Sequence, residues 1–159
     1  MTKVVLEVGD KAPDFALSRD GGGKVALKNF KGSKLVLYFY PRDDTAGCTK
    51  EAIDFTRVAK AFDKAGASIV GISKDTVAAH DKFIGKHDLK VTLGSDPDGA
   101  ACEAYGVWAR KSLYGRTYMG IERTTFLIDA KGRIARIWRK VKVPGHADAV
   151  LEAVQDLEA

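Results

Sequence analysis

The alternation of short apolar runs with polar segments predicts a chain built from strands and helices. Residues 35–40 form a continuous apolar run that ends at Pro41, which is typical of a buried central strand. Residues 68–73 form a second run of this kind. Turn sequences rich in glycine and aspartate separate two further pairs of strands, at 15–17 with 25–27 and at 124–128 with 134–138, so each pair is predicted to form a hairpin.

Helical spacing follows the first long apolar run. The residues that recur at intervals of four and three are Cys48, Ala52, Phe55, Ala59 and Phe62, and they predict an amphipathic helix that ends near Gly66. Further helices are predicted at 77–86, 98–105 and 147–157, with a short strand at 91–93. The order of these elements predicts an α/β fold with a thioredoxin-like architecture, in which helices cover both faces of a central mixed sheet.

Length and composition are those of an ordinary globular protein. A chain of 159 residues predicts a single domain over 1–159. Hydrophobic residues make up 45% and charged residues 30%, which excludes a disordered chain or a fibrous repeat. The longest apolar run is far shorter than the roughly 20 residues of a membrane span, and residues 1–8 lack the apolar core of a signal peptide. A cytoplasmic location is therefore expected.

The two cysteines, Cys48 and Cys102, have neither disulfide-framework nor zinc-site spacing, which indicates a reducing compartment and no structural metal. His80 and His87 lie seven residues apart on a predicted helix, about 10 Å along its axis. With no further ligand indicated, they are interpreted as solvent-facing residues rather than a metal site.

A net charge of +5 raises the question of nucleic acid binding. Basic and acidic residues are interleaved along most of the chain, and only residues 133–142 are locally basic, beside Trp138. This stretch could bind phosphates and stack a base, but it is interpreted as the solvated face of a strand. A basic binding module is kept as the alternative of a different class.

The junction between the strand at 35–40 and the following helix carries unusual chemistry. Cys48 is predicted in the first turn of the helix, where unpaired backbone N–H groups and the helix dipole favour a thiolate. Thr45 can turn its hydroxyl toward the same place, and Pro41 fixes the chain without offering an N–H group. By position alone, Cys48 could equally be a small buried core residue.

The spacing Pro41, Thr45, Cys48 resembles the peroxidatic signature of the peroxiredoxins. The segment 9–15 (GDKAPDF) is similar to that family's entry segment, and 114–129 to its later arginine-bearing strand. The resemblance extends over about 9–157 and is greatest to the bacterioferritin comigratory protein, or peroxiredoxin Q, branch.

This resemblance implies that Cys48 is the peroxidatic cysteine of a thiol-dependent peroxidase that needs no cofactor. Its thiolate would attack a hydroperoxide and become a sulfenic acid. The resemblance also implies that Thr45, Arg123 and the backbone N–H groups at Gly47 and Cys48 stabilise the oxygens, and that Glu51 could hold Arg123 by an ion pair.

The chain departs from the family at the positions where a resolving cysteine is expected. Ile53 and Ile84 occupy these two positions. Cys102 remains, and it is interpreted as a structural residue, with a Cys48–Cys102 disulfide kept as the alternative. One-cysteine turnover is therefore predicted, with thioredoxin, glutaredoxin or a small thiol as reductant. The resemblance also suggests a monomer that acts on hydrogen peroxide and organic hydroperoxides.

Overall fold

The computed structural model describes residues 5–157, which contain nine strands and five α-helices. The first four and last two residues of the predicted domain lie outside this range. The strands are β1 (Ala16–Arg19), β2 (Lys24–Ala26), β3 (Lys34–Phe39), β4 (Ala67–Ser73), β5 (Thr92–Ser95), β6 (Trp108–Leu113), β7 (Arg116–Ile121), β8 (Thr124–Ile128) and β9 (Ile134–Trp138). The helices are α1 (Ala46–Arg57), α2 (Ala59–Lys64), α3 (Val77–His87), α4 (Ala100–Ala104) and α5 (His146–Asp156).

Seven strands form one mixed sheet in the order β2-β1-β5-β4-β3-β8-β9. β3 lies between β4, to which it is parallel, and β8, to which it is antiparallel. All six residues of β3 are buried, as the uninterrupted apolar run predicts for a strand covered on both faces. The α/β, thioredoxin-like architecture predicted from the order of elements is confirmed.

Alternate residues of β3 enter two separate cores on opposite faces of the sheet. Val36 and Tyr38, with Tyr40 directly after the strand, pack in one core with residues of α1, α2 and α5. Leu35, Leu37 and Phe39 pack in the other core, together with residues of α4. Cys48 belongs to the first core and Cys102 to the second, so the sheet separates them.

The start of β3 is fixed to the ends of two helices by a buried lysine. The ammonium group of Lys34 donates to the carbonyl of Ala65 at 3.3 Å, just beyond α2, and to that of Val154 in α5 at 3.0 Å. These carbonyls lie at the negative ends of their helices, where a cation is stabilised. Lys34 thus joins both helices to the central strand.

Two sequence predictions about element boundaries are wrong. The helix predicted from Cys48 to Gly66 begins at Ala46 and is interrupted at Val58, which adopts φ −109° and ψ 13°. The apolar spacing continues across this break because Phe55 and Phe62 still enter the same core. In the first hairpin, Leu27 begins a 3-10 turn instead of ending β2.

The hairpin of β6 and β7 is absent from the sequence predictions. Its turn residues, Tyr114 and Gly115, both have positive φ, of 51° and 77°. Such a turn joins two strands tightly, but it usually carries asparagine, aspartate or glycine at both positions. Because Tyr114 occupies the first of these positions, the sequence lacks the residue pair that would indicate a hairpin turn.

Among residues 5–157, no helix is both long enough and apolar enough to cross a membrane.

Close contact between β3 and β4 depends on Gly71. A Cβ atom there would lie 2.6 Å from Cζ of Tyr38 in the neighbouring strand. We therefore expect Gly71→Ala to lower the free energy of unfolding by about 1–3 kcal/mol, as overpacking of a core does. Urea denaturation monitored by circular dichroism measures the change.

Gly85→Ala is the matched control, because a Cβ atom at Gly85 in α3 would meet nothing within 4 Å. This substitution should raise the free energy of unfolding by about 0.5–1 kcal/mol. Equal stability of the two variants would contradict the packing described for Tyr38.

Candidate active site

The loop from β3 to α1 places Cys48 in the first turn of the helix. Thr45 is the N-cap residue, with extended φ and ψ of −88° and 158°, and α1 begins at Ala46. The first helical backbone bond on this side runs from the N–H of Thr49 to the carbonyl of Thr45 at 2.8 Å. The N–H groups of Gly47 and Cys48 therefore lack intrahelical acceptors and are free to bind an anion or a polar ligand.

Arg123 brings a fixed positive charge to the sulfur of Cys48. The register of β8 against β3 pairs Thr124 with Phe39, so Arg123 lies at the end of β3 where the Cys48 loop begins. Nη2 of Arg123 donates to Sγ of Cys48 at 3.3 Å. Cys48 is only 2% exposed. A guanidinium in a partly buried site stabilises a thiolate because little water screens the charge.

Glu51 holds Arg123 in this position. Nη1 of Arg123 donates to Oε1 of Glu51 at 2.6 Å, and the Glu51 side chain is fully buried. Burial raises the pKa of Glu51 to about 7, although the guanidinium of Arg123 opposes the shift. The second oxygen of Glu51 has no hydrogen-bond partner within the described residues. Glu51 thus lies about one helical turn after Cys48 and orients the guanidinium of Arg123 through this ion pair.

Gly47 leaves room for the arginine. A Cβ atom at Gly47 would lie 3.1 Å from Nη2 of Arg123, the same nitrogen that donates to Cys48. Any side chain here would press on a guanidinium already fixed by Glu51. The glycine therefore permits close approach of Arg123 to the start of α1.

Thr45 and Pro41 lie on the exposed side of the site. The hydroxyl of Thr45 donates to the carbonyl of Arg42 at 2.9 Å instead of capping α1, and its oxygen lone pairs remain able to accept. Pro41 is exposed directly after β3. The structure thus brings Arg123 into contact with Cys48 and Glu51 beside Gly47, whereas Thr45 and Pro41 are exposed.

The interpretation of His80 as a solvent-facing residue is wrong. His80 is fully buried, and Nδ1 donates to Oδ2 of Asp43 at 2.6 Å. His87 is partly buried and Nε2 bonds to Oδ1 of Asp44 at 3.0 Å. Sequence reasoning missed the two aspartates, which immediately precede Thr45. The available signal was the match between two adjacent acids and two histidines on one face of α3.

A further cation faces the site from the hairpin of β6 and β7. The side chain of Lys111 packs across Gly120 in the opposite strand. Burial lowers the pKa of Lys111, and the nearby charge of Arg123 lowers it further. The tip of this hairpin exposes the apolar side chains of Leu113, Tyr114, Tyr118 and Met119.

Cys102 has a structural environment. It is fully buried in α4, and its N–H donates to Oδ2 of Asp96 at 2.9 Å. Burial raises the pKa of the Cys102 thiol, and the adjacent Asp96 carboxylate raises it further. The thiol is therefore neutral and lies on the face of the sheet opposite Cys48.

A hydrolase triad of Cys48, His146 and Asp148 is not assembled. Nε2 of His146 bonds to the hydroxyl of Thr125 at 2.8 Å, and Asp148 forms a surface ion pair with Arg57 at 3.1 Å. Burial lowers the pKa of His146 to about 4, and Arg123 adds to the shift, so the ring is neutral. His146 is thus a buried residue of α5 that bonds to β8.

The basic stretch at 133–142 is largely engaged with the chain itself. The guanidinium of Arg136 lies over the ring of Trp138 at 4.7 Å from its centre. Arg133 and Arg139 donate to backbone carbonyls of Gly9 and Leu6. The ring face that would stack a base is covered.

One cavity is distant from Cys48. Its volume is about 340 Å³, and it lies at the opposite end of β3, lined by Leu35, Ile128 and several lysines.

Within the described part of the chain, no cluster of three or more histidine, cysteine, aspartate or glutamate side chains could hold a metal ion.

Comparison with known proteins gives consistent matches. Residues 8–137 match the AhpC/TSA family. The chain is 53% identical to a putative peroxiredoxin bcp of Coxiella burnetii, over 92% of this chain and 97% of that protein. It is 48% identical to peroxiredoxin Bcp of Xanthomonas campestris, over 98% of this chain and 97% of the relative.

Solved structures show the same likeness. The bacterioferritin comigratory protein of Xanthomonas campestris, whose structures concern alkyl peroxide reduction, superposes with a TM-score of 0.87 at 47% identity, covering 95% of this chain and 96% of that one. A PrxQ mutant of Xylella fastidiosa superposes with a TM-score of 0.91 at 36% identity, covering 96% and 97%.

The contact between Arg123 and Cys48 can be tested by replacing the arginine. A charge-assisted hydrogen bond contributes about 1.5–3 kcal/mol, so Arg123→Gln should shift the thiol–thiolate balance of Cys48 toward the thiol by roughly 10- to 100-fold. The ultraviolet absorbance of the thiolate at neutral pH measures the change. Arg57→Gln removes an arginine from the surface of α1 and should leave the absorbance unchanged. Equal absorbance in all three proteins would contradict the assignment of Arg123.

Proposed function

Because the chain belongs to the AhpC/TSA family and is a peroxiredoxin, a thiol-dependent peroxidase, we propose that Cys48 is its peroxidatic residue. The observation that carries this assignment is the 3.3 Å contact of Arg123 with Sγ of Cys48 at the start of α1. The guanidinium and the free N–H groups of the first turn both stabilise a thiolate. Cys102 lacks any such surroundings, because it is buried beside a carboxylate.

The reaction begins with attack of the Cys48 thiolate on the terminal oxygen of a hydroperoxide. A sulfur–oxygen bond forms, the oxygen–oxygen bond breaks, and its electron pair leaves with the inner oxygen, which takes a proton to become an alcohol or water. Sulfur is oxidised to a sulfenic acid and the peroxide is reduced. Two electrons pass from sulfur to the peroxide in this step.

Fixed donors stabilise the charge that moves onto the leaving oxygen. Arg123 contacts the sulfur, and the N–H groups of Gly47 and Cys48 have no intrahelical acceptor in the first turn of α1. Such preorganised donors act most strongly where water is excluded. The hydroxyl of Thr45 is directed by its bond to the carbonyl of Arg42, which leaves an oxygen lone pair to accept a hydrogen bond from the O–H group of the hydroperoxide. Pro41 keeps an additional N–H group out of the loop.

Glu51 acts on the reaction through Arg123. Its ion pair at 2.6 Å fixes the guanidinium in a geometry that serves the sulfur and the substrate together. The proposal assigns Glu51 and Gly47 to positioning, and Cys48, Thr45 and Arg123 to contact with the reacting atoms.

The sulfenic acid is reduced by an external thiol. The two positions that a resolving cysteine would occupy hold Ile53 and Ile84, and Cys102 packs in the core across the sheet from Cys48. A disulfide between Cys48 and Cys102 requires Cα atoms within about 7 Å, which would mean unpacking both cores. The first thiol forms a mixed disulfide and releases water, and a second thiol releases the regenerated Cys48.

The substrates are hydrogen peroxide and organic hydroperoxides, in keeping with the alkyl peroxide reduction associated with the Xanthomonas campestris relative. The proposed reductant is thioredoxin, glutaredoxin or a small thiol. The chain is proposed to act as a single-domain monomer in the cytoplasm, where thiols are kept reduced.

Mass spectrometry after one equivalent of peroxide tests this function. The wild-type protein should become heavier by one oxygen atom, the product should be trapped by dimedone, and Cys102→Ser should behave in the same way. Cys48→Ser should neither react nor consume peroxide. The matched serine variants differ only in which sulfur is removed.

Two results would contradict the proposal. Peroxide turnover that persists in Cys48→Ser would remove the peroxidatic role of Cys48. A monomeric product lighter by two hydrogen atoms, and lost in Cys102→Ser, would replace one-cysteine turnover by an internal disulfide.

A further inference from the structure

His80 is a buried residue whose two ring nitrogens both face acceptors. Nε2 contacts the carbonyl of Gly94 in β5 at 3.0 Å, and Nδ1 contacts Oδ2 of Asp43 at 2.6 Å. A carbonyl oxygen can only accept, so Nε2 must carry a hydrogen. Whether the ring is charged therefore depends on Asp43.

Both carboxylate oxygens of Asp43 face hydrogen-bonding groups. Its Oδ1 accepts from the hydroxyl of Tyr40 at 2.5 Å, while Oδ2 faces His80. Burial raises the pKa of Tyr40, so its hydroxyl stays protonated and donates. A carboxylate that accepts on both oxygens requires a hydrogen on Nδ1 as well. His80 is then an imidazolium, paired with Asp43 inside the protein.

The charged groups around His80 favour this state. Tyr40 approaches from the end of β3, Asp43 from the loop, and Asp75 from the end of β4, where its carboxylate accepts from the N–H of Asp43 at 2.8 Å. On α3 itself, Asp81 is turned away and accepts from Gly21. Burial opposes the charged ring, but the hydrogen bond and charge of Asp43 outweigh it, and the pKa of His80 is raised above 6.5.

A second, exposed attachment lies beside the buried pair. Asp44, which adopts a positive φ of 60°, contacts Lys86 at 2.7 Å and His87 at 3.0 Å. Exposed ion pairs contribute little to stability, whereas separation of a buried pair leaves an uncompensated charge. The pair of His80 and Asp43 is therefore the main attachment between α3 and the loop that carries Cys48.

This attachment opposes the access that the second half-reaction needs. Cys48 is only 2% exposed, and the sulfur of a reductant, which is part of a larger molecule than a small peroxide, must approach it along the S–O axis. The start of α1 must move for that attack. Asp43 lies five residues before Cys48, so release of the loop from His80 makes this movement easier.

We propose that His80 is a positioning residue that, as an imidazolium paired with Asp43, holds the Cys48 loop in its peroxide-reactive form, and that loss of its proton releases the loop toward the reductant. The pair contributes fully below the ordinary histidine pKa, and its contribution is lost as the pH rises through the raised value in the folded protein. The kinetic consequence rests on the proposed function of Cys48.

Single-turnover kinetics of the two half-reactions test this role. Between about pH 6 and about pH 9, the rate of the peroxide step in the wild type should include a contribution that decreases as the pH rises. The rate at which dithiothreitol reduces the sulfenic acid should include a contribution that increases with the same midpoint. His80→Gln has no titrating group at this position, so it should lack this pH dependence and be reduced at least about tenfold faster than wild type in acid. Asp43→Asn should behave similarly.

Asp81→Asn is the matched control, because it removes a charge from the same helix without contact to the loop. It should keep the wild-type profile. A His80→Gln protein with the wild-type profile in both half-reactions would overturn the proposal.

A measurement independent of catalysis separates failure of this proposal from failure of the proposed function. In Cys48→Ser, amide hydrogen exchange at residues 43–49, corrected for the intrinsic rate, should accelerate as His80 loses its proton. The double variant with His80→Gln should exchange rapidly throughout. Amide exchange that is independent of pH and of His80 overturns the proposed role of His80 even if the enzyme is an active peroxidase. Absence of turnover with the exchange pattern intact overturns only the role of Cys48.

Discussion

The contact between Arg123 and the sulfur of Cys48 is the interaction on which the site depends. Cys48 belongs to α1 and Arg123 precedes β8, so the two meet only because β8 pairs with β3 in the register that sets Thr124 opposite Phe39. A shift of one residue in that register would turn the side chains of β8 to the other face of the sheet. The central sheet therefore determines the chemistry at its edge as well as the packing of its cores.

A partly buried cation beside the sulfur of Cys48 imposes requirements on its neighbours. Glu51 is buried with Arg123 and raised in pKa to about 7, so the pair carries a cost of desolvation that only their close contact offsets. Gly47 must lack a side chain for the guanidinium to reach the sulfur. On the far side, His80 and Asp43 fix the loop that leads into α1. The position of the site thus depends on the ion pair with Glu51, on the space left by Gly47, and on the pair of His80 and Asp43.

The sequence predicts the parts of the fold that depend on local pattern. The runs at 35–40 and 68–73 are buried, apart from the exposed Ser68 at the start of the second, because their apolar residues lie on both faces of the strand. The hairpin of β6 and β7 escapes prediction because it carries charges and exposed apolar residues without regular alternation, and because Tyr114 takes a turn position that favours asparagine or glycine.

The site shows the same limit. The position of Cys48 at a helix start follows from local spacing, but Arg123 could be associated with it only through resemblance to a family. The sequence predicts that His80 faces solvent because its partner, Asp43, is 37 residues earlier in the chain and no periodic pattern connects them. Long-range charge pairing is set by tertiary structure, so two adjacent acids and two histidines on one helix face indicate a possible match without showing that the groups meet.

The most direct test of the central claim is rapid mixing of the reduced protein with equimolar hydroperoxide while the thiolate absorbance is recorded. The wild type and Cys102→Ser should each lose the absorbance of one thiolate per chain as peroxide is consumed, and Cys48→Ser should show neither the absorbance nor the change. If the wild type and Cys48→Ser give the same absorbance and the same trace, the account of this site is contradicted.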